Sequence, residues 1–299
     1  MVNRRLADKV ATVVIMLLVA ALVTILFGMI GYIFVNGIGH ISWQFLTSGP
    51  ETFKAGGGIG PQLFNSLYLL VLTLLITVPL GLGGAIYMAE YAKPGKVTDT
   101  LRTAIEVLAS MPSIVVGMFG LLAFVTLTGW GYTLIGGACA LAVFNLPIMV
   151  RVFEDAIRSV PPALKQGSMA LGVTHWATIK SVILPAALPG IMTGTILASG
   201  RVFGEAAALI FTAGLSSPPL DFTSWSFTDP RSPLNPFRPA ETLAVHIWKI
   251  NSEGLQPDVA DIQAGASLIL VVAVLVYNLG ARAFGRALQR KLTASKHVR

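Results

Sequence analysis

The sequence predicts an all-α integral membrane protein with six transmembrane helices and both termini on the cytoplasmic side. Three observations carry that prediction. Of the 299 residues, 54% are hydrophobic and only 12% are charged, about half the charged share of a soluble domain. No Asp, Glu, Lys or Arg occurs from Val10 to Pro50, from Ala55 to Ala89, or from Val107 to Val150, and a spanning helix needs roughly 20 apolar residues. Finally, the cations alternate from flank to flank. Arg4, Arg5, Lys93, Lys96, Arg151, Arg158, Lys165, Lys180, Arg286, Arg290 and Lys291 fall in one set of flanks. The other set, 37–61 and 216–263, is poorer in Lys and Arg and holds Asp221, Asp229, Glu241, Glu253, Asp258 and Asp261. Cations collect on the cytoplasmic side, and six spans with both ends inside satisfy that rule at every loop.

In chain order the spans read as 10–36, 62–90, 105–127, 132–150, 189–215 and 264–285. The first follows Arg4 and Arg5 but is much longer than the 7–15-residue core of a secretory signal and ends in no small-x-small cleavage site, so it reads as an uncleaved helix. Gly56, Gly57, Gly58 and Gly60 before Pro61 mark a flexible outer loop. Pro112 and Gly117 suit a bent third span, either as a tolerated kink or as part of a path lining. Cys139, the single cysteine, sits in the fourth span and reads as packing. Residues 216–240, rich in Pro, Ser and Asp, predict an irregular outer loop. From Glu241 the spacing of Leu243, Val245, Ile247 and Trp248 fits a short amphipathic helix near the outer surface, or a loop with scattered apolar residues. The organisation is then an N-terminal helix with its outer loop (1–60), a core (61–287) carrying a cytoplasmic loop (154–188), and a basic tail (288–299).

The net charge of +7 invites a nucleic-acid reading, but its confinement to one set of flanks points to the membrane instead. The chain has no GxxxxGK[ST]; Gly95-Lys96 is followed by Val97, so no nucleotide site is expected. His40, His175, His246 and His297 lie far apart, without metal-ligand spacing, and read as surface or interfacial polar residues. No nucleophile–base arrangement stands out. A non-catalytic role follows, most simply transport, with no cofactor in this chain.

The loop after the fourth span has helical spacing. One short helix is expected after Pro161-Pro162, broken at Gly172. A second is expected to be capped by Thr174, to run through Trp176, Ile179 and Val182, and to end at Pro185. Two short helices at an angle make a knob that either docks a partner or packs on its own spans. Its residues resemble the EAA loop of ABC importer permeases. Gln166-Gly167-Ser168 stand at the EAA triplet, where Gln replaces Glu and small residues replace Ala. Gly172 matches the glycine, and Val182-Ile183-Leu184-Pro185 match the closing I-x-L-P. The resemblance implies that Gln166, Gly167, Ser168, Gly172, Leu184 and Pro185 couple the chain to separate ATP-binding subunits.

The stretch 198–211, ASGRVFGEAAALIF, is an apolar span carrying Arg201 and Glu205. A helix would place both on one face. A charge at a span's centre costs about 2.5–3.5 kcal/mol on insertion scales, so both should face a bundle interior, an interface or a water path. Two roles stay open from the chemistry: a structural ion pair, or an anion path in which Arg201 offers planar donors to phosphate or carboxylate oxygens. GRVFGEAAALIF resembles the ARA-x-GE-TAP segment of phosphate ABC permeases, with Ala206-Ala207-Ala208 at the Thr-Ala-Pro positions. LASMPSIVVGMFGL (108–121) is similar to that family's IPSIV-x-G-x-FGL. GGGIGPQLFNSLYLL (56–70) and ETLAVHIWKI resemble the PstA-type subunit. That resemblance implies a MetI-like permease core in a bacterial inner membrane, with Arg201 and Glu205 on the path of inorganic phosphate. The implied partners are a homologous PstC-type permease, two ATP-hydrolysing subunits docked on 154–188, and an extracytoplasmic phosphate-binding protein. Permeases for other oxyanions, such as molybdate or sulfate, are the nearest alternative, and a secondary transporter a more distant one.

Overall fold

The computed structural model describes residues 4–51, 55–253 and 257–294. Its regular elements are all helical, with no strand among the described residues. Lipid explains why: a spanning backbone must satisfy every N–H and C=O within itself, and a helix does so. The helices are α1 (Arg4–Gly37), α2 (Trp43–Thr47), α3 (Gly60–Ile86), α4 (Lys96–Ala109), α5 (Ser113–Gly120), α6 (Leu134–Arg158), α7 (Pro162–Ala170), α8 (His175–Thr178), α9 (Leu184–Gly204), α10 (Ala207–Ile210), α11 (Leu243–Glu253) and α12 (Val259–Ala294). Five continuous helical stretches are long and apolar enough to cross a membrane: Asp8–His40, Gly60–Tyr91, Leu134–Arg158, His175–Gly204 and Val259–Ala287. The chain is therefore a multi-pass membrane protein.

The third span, expected over 105–127 with a bend at Pro112 and Gly117, is broken outright into two helices. α4 and the stretch Ser113–Thr126 meet at 98°. Pro112 forces the turn: it lacks an N–H and pushes the residue before it out of helical geometry, and it serves as the N-cap of α5 with ψ 138°. α4 stays against α6 with none of its residues buried, and its sequence fits that position. Lys96, Asp99, Arg102 and Glu106 recur at helical spacing on one face, with Val97, Leu101, Ile105 and Leu108 on another, the pattern of a helix lying at a water boundary. Ser113–Thr126 alone spans only about 21 Å.

α3 and α6 form the most extensive pairing in the bundle, with α9 against α6 and α12 against α9. Small residues set these approaches. A Cβ on Gly190 would fall 2.6 Å from Ala156 Cβ, and one on Gly194 would fall 2.6 Å from Val152 Cγ1. In a membrane, where neighbouring helices gain no hydrophobic drive, such close van der Waals packing supplies the cohesion. The buried core runs along this packing, through Leu69, Leu141, Phe203 and Leu209 and then through Met149, Phe153, Ile179 and Ile183. Among the described residues α1 packs mainly on α12 and its own flanking turn; no residue in its most apolar window is buried.

The bundle has two distinct ends. At one, α7 and α8 meet the ends of α3 and α6. At the other, α2, α11 and the starts of α3 and α12 bury Phe45, Ile59, Leu243, Ile250 and Ile262 together. Residues 216–240 are irregular, as expected. The segment from Glu241 is helical from Leu243, but it does not rest on a surface: Leu243, Val245 and His246 are buried. His246 is thus a core histidine, contrary to its reading as a surface or interfacial residue, because it has a carboxylate partner inside.

Candidate translocation path and coupling loop

Arg201 lies in the last turn of α9, half-buried, with its Cζ 3.7 Å from the ring centroid of Phe144 on α6. Phe144 is 3% exposed. It stands about 15 Å from the Leu134 end of α6 and about 21 Å from the Arg158 end, at 1.5 Å per residue, so the guanidinium sits near mid-depth. The ring covers one face of the cation, a contact worth roughly 0.5–2 kcal/mol. Among the described residues the guanidinium donates no hydrogen bond, and its edge remains open to an acceptor.

The expected i,i+4 face shared with Glu205 is not formed. α9 ends at Gly204, and Glu205 is extended at φ −77°, ψ 126°. Its Oε1 accepts the Ala208 N–H at 3.2 Å, and no Arg201–Glu205 salt bridge occurs among the described residues. The physical reason is local. Gly204 weakens the helix, and the carboxylate offers the chain a competing acceptor for a downstream N–H. The small residues beyond the break suit close packing: a Cβ on Gly117 of α5 would come 2.8 Å from Ala208 Cα. The bent third span therefore packs where the fifth span breaks.

The loop after α6 folds largely as its sequence predicts. α7 begins with Pro162 and is followed by Gly172 at φ +79°, a left-handed position that favours glycine. Thr174 caps α8 by accepting the Ala177 N–H. Gln166 and Gly167 are exposed, and Ser168 Oγ meets Thr178 Oγ1 at 3.0 Å, tying the two helices. Pro185, however, does not end the second helix. A π-helical turn, Ile179–Ile183, precedes it, and α9 continues with Pro185 in its first turn. The wider turn relieves the clash and missing N–H that proline imposes. α8, the π-helical turn and α9 consequently form one continuous helical rod from His175 to Gly204, with Arg201 in its last turn. Leu184 and Pro185 lie within it, away from Gln166 and Gly167 on α7.

Residues outside the expected site hold the loop in place. Glu90, at the end of the second span, pairs with Lys165 of α7 and with His175 Nε2 of α8 at 2.9 Å. Glu154, 7% exposed, accepts from Arg102 and from Arg158, each at 2.8 Å, and Arg158 also donates to the Met88 carbonyl. Of these contacts only the Glu154–Arg158 pair has a local signature, its i,i+4 spacing, and it was missed from the sequence. On the exposed side Leu164, Met169, Leu171 and Trp176 are 48%, 45%, 84% and 56% exposed, so this braced knob presents an apolar face to its surroundings.

At the opposite end a buried polar network was not legible in the sequence. Arg238, 2% exposed, donates to Asn65 Oδ1 at 2.7 Å and to the Ser232 and Pro233 carbonyls. Burial lowers its pKa to about 10. Glu241 accepts from Gln62 Nε2 at 3.0 Å, contacts His246 Nδ1 at 3.1 Å and lies 3.8 Å from Lys249. Asn65 Nδ2 reaches both Ser217 Oγ and the Glu241 carbonyl. These bonds pin the irregular segment 216–240 and α11 onto α3. Arg238→Met leaves Asn65 Oδ1 without its donor, which costs about 1–3 kcal/mol. The expected outcome is a lower melting temperature of the purified protein with the insertion of its spans unchanged, measured by thermal unfolding in detergent.

Residues 81–294 match the family model described as binding-protein-dependent transport system inner membrane component. A probable ABC transporter permease of Bacillus subtilis, YqgI, is 60% identical over 98% of this chain and all of its own length. The phosphate transport system permease protein PstA of Yersinia pestis is 32% identical over 89% of this chain and 87% of its own. That of Xylella fastidiosa (strain 9a5c) is 33% identical over 76% and 74%. The structure of a bacterial alginate ABC transporter superposes with TM-score 0.66 over 96% of this chain and 98% of its own, at 18% identity, which is a likeness of fold. An apolar helical bundle with a braced external knob and a mid-depth cation, matched along most of its length, places this chain in the family of binding-protein-dependent transport system inner membrane components, as a permease subunit of an ABC importer.

Proposed function

We propose that the chain is the PstA-type permease of an ATP-driven inorganic phosphate importer. The single observation that carries the reading is the Arg201 guanidinium near mid-depth, stacked on one face and open along its donor edge. Planar N–H donors match the oxygens of a tetrahedral oxyanion, and an isolated cation in a span is otherwise a cost. The relatives named as phosphate permeases support the choice of anion. In this reading Glu205 keeps the site from trapping the ion, and a homologous PstC-type permease completes the path. Two ATP-binding subunits dock on 154–188 through Gln166, Gly167, Ser168 and the turn at Gly172. ATP-driven closure then moves the α8–α9 rod (His175–Gly204), with Leu184 and Pro185 in its shaft. An extracytoplasmic binding protein delivers phosphate, and both termini are cytoplasmic.

The test is labelled phosphate uptake in cells carrying the assembled transporter, with excess unlabelled phosphate, sulfate or molybdate as competitors. Competition by phosphate alone is expected. Competition by molybdate or sulfate in place of phosphate assigns the permease to another oxyanion.

A further inference from the structure

Toward the α7 end, α9 and α12 enclose a cavity of about 400 Å³. Met192, Ile196 and Leu279 give it an apolar wall, and Arg282 and Arg286 stand on successive turns of α12 at its edge. The volume lies within the range of about 300–1,000 Å³ typical of ligand sites.

Depth and charge decide what fits there. Arg282 lies about 35 Å along the α12 axis from Val259, whereas the hydrocarbon core is about 30 Å thick. The two guanidinium groups thus reach the headgroup level on the α7 side, while Leu279 and Ile196 remain at acyl-chain depth. Among the described residues neither arginine is paired with a carboxylate. No Asp or Glu occurs between Asp261 and the C-terminal Arg299, and α9 contains none. Arg286 Nε instead points back to the Arg282 carbonyl at 3.4 Å, so the two side chains share one side of the helix. Gly285 faces Met192, where an added Cβ would come 3.2 Å from Met192 Cε, and the absence of a side chain there keeps the groove from being filled.

We propose that this groove binds an anionic phospholipid of the leaflet on the α7 side, its phosphate held by Arg282 and Arg286 and an acyl chain lying along Met192, Ile196 and Leu279. Basic pockets between spanning helices at a membrane boundary recognise anionic headgroups. A free phosphate ion would use the two arginines but leave the apolar wall uncovered, and Leu279 is 65% exposed. A lipid seated here bridges α12 to the foot of the rod that carries Arg201, and it stabilises the folded state by mass action.

The experiment uses the whole transporter, purified with its partner subunits in mild detergent, with phosphatidylglycerol or phosphatidylcholine added and retained lipid counted by native mass spectrometry. Wild type is expected to retain phosphatidylglycerol in preference to phosphatidylcholine. The Arg282→Gln/Arg286→Gln double variant should bind it about thirtyfold more weakly. Leu279→Trp, which fills the groove and keeps both charges, should also lose it. Equal retention of the two lipids by wild type overturns the proposal, as does unchanged retention by the double variant. Displacement by inorganic phosphate would assign the arginines to a free anion instead. Efficient cross-linking of Leu279→Cys to a partner subunit would show a protein interface there, and that too overturns the lipid site.

Discussion

Arg201→Ala is expected to abolish phosphate uptake while the transporter still assembles. The geometry separates the two outcomes. Arg201 makes no salt bridge with Glu205, whose carboxylate is spent on the Ala208 N–H, so removing the cation leaves no unpaired partner to unfold the bundle. What is lost is the stack on Phe144 and, on the proposed path, the charge-assisted hydrogen bonds that Arg201 would offer the ion. Such bonds are each worth about 1.5–3 kcal/mol. Losing even one of them slows transport by roughly tenfold to a hundredfold, and two lost together put uptake below detection. Arg201→Lys keeps the charge but not the planar fork, and is expected to recover only part of the rate. Glu205 offers the internal control. Glu205→Gln keeps an acceptor for Ala208 and should assemble normally, whereas Glu205→Ala removes it. Labelled phosphate uptake at matched membrane levels decides the matter: wild-type uptake by Arg201→Ala would falsify the anion-path role. Failure of Arg201→Ala to assemble, rescued by Glu205→Ala, would restore the simple ion pair.

The contrast between Arg201 and Glu205 shows what the sequence could and could not convey. Their types and depth were legible, because charges in an apolar run are costly wherever they point. Their shared face was inferred from uninterrupted helical geometry. Gly204 and the capping carboxylate of Glu205 cancel that assumption, and whether a span breaks depends on competition between backbone acceptors that periodicity does not register. Pro112 and Pro185 make the same point in opposite directions. Pro112 produces a 98° bend, whereas Pro185 is absorbed because a π-helical turn precedes it. The bundle itself, the irregular character of 216–240, the turn at Gly172 and the Thr174 cap all follow from local rules and hold. The networks around Glu90, Glu154 and Arg238 were hidden because their partners lie far apart in sequence, as with Arg238 and Asn65, 173 positions apart.

The coupling loop yields the second large effect: Gly172→Val should uncouple ATP hydrolysis from uptake. Gly172 sits at φ +79°, and a Cβ there would meet nothing within 4 Å among the described residues beyond its own chain neighbours. Any penalty within the chain is therefore conformational and owes nothing to crowding. A β-branched residue in left-handed geometry is a strong outlier, and the cost, of order 1–3 kcal/mol, falls on the turn that joins α7 to α8. The turn between α7 and α8 should open, carrying Gln166 and Gly167 away from the positions the α8–α9 rod needs for coupling. Asn tolerates this backbone region far better than Val, so Gly172→Asn should keep most of the coupling. Reconstituted transporter is the assay, with ATP hydrolysis and phosphate uptake read in the same vesicles. If Val loses uptake per ATP while Asn retains it, the backbone of the turn transmits the stroke. Equal failure of both variants would mean that a partner surface packs against the glycine itself, and full coupling in Gly172→Val would remove this turn from the coupling path.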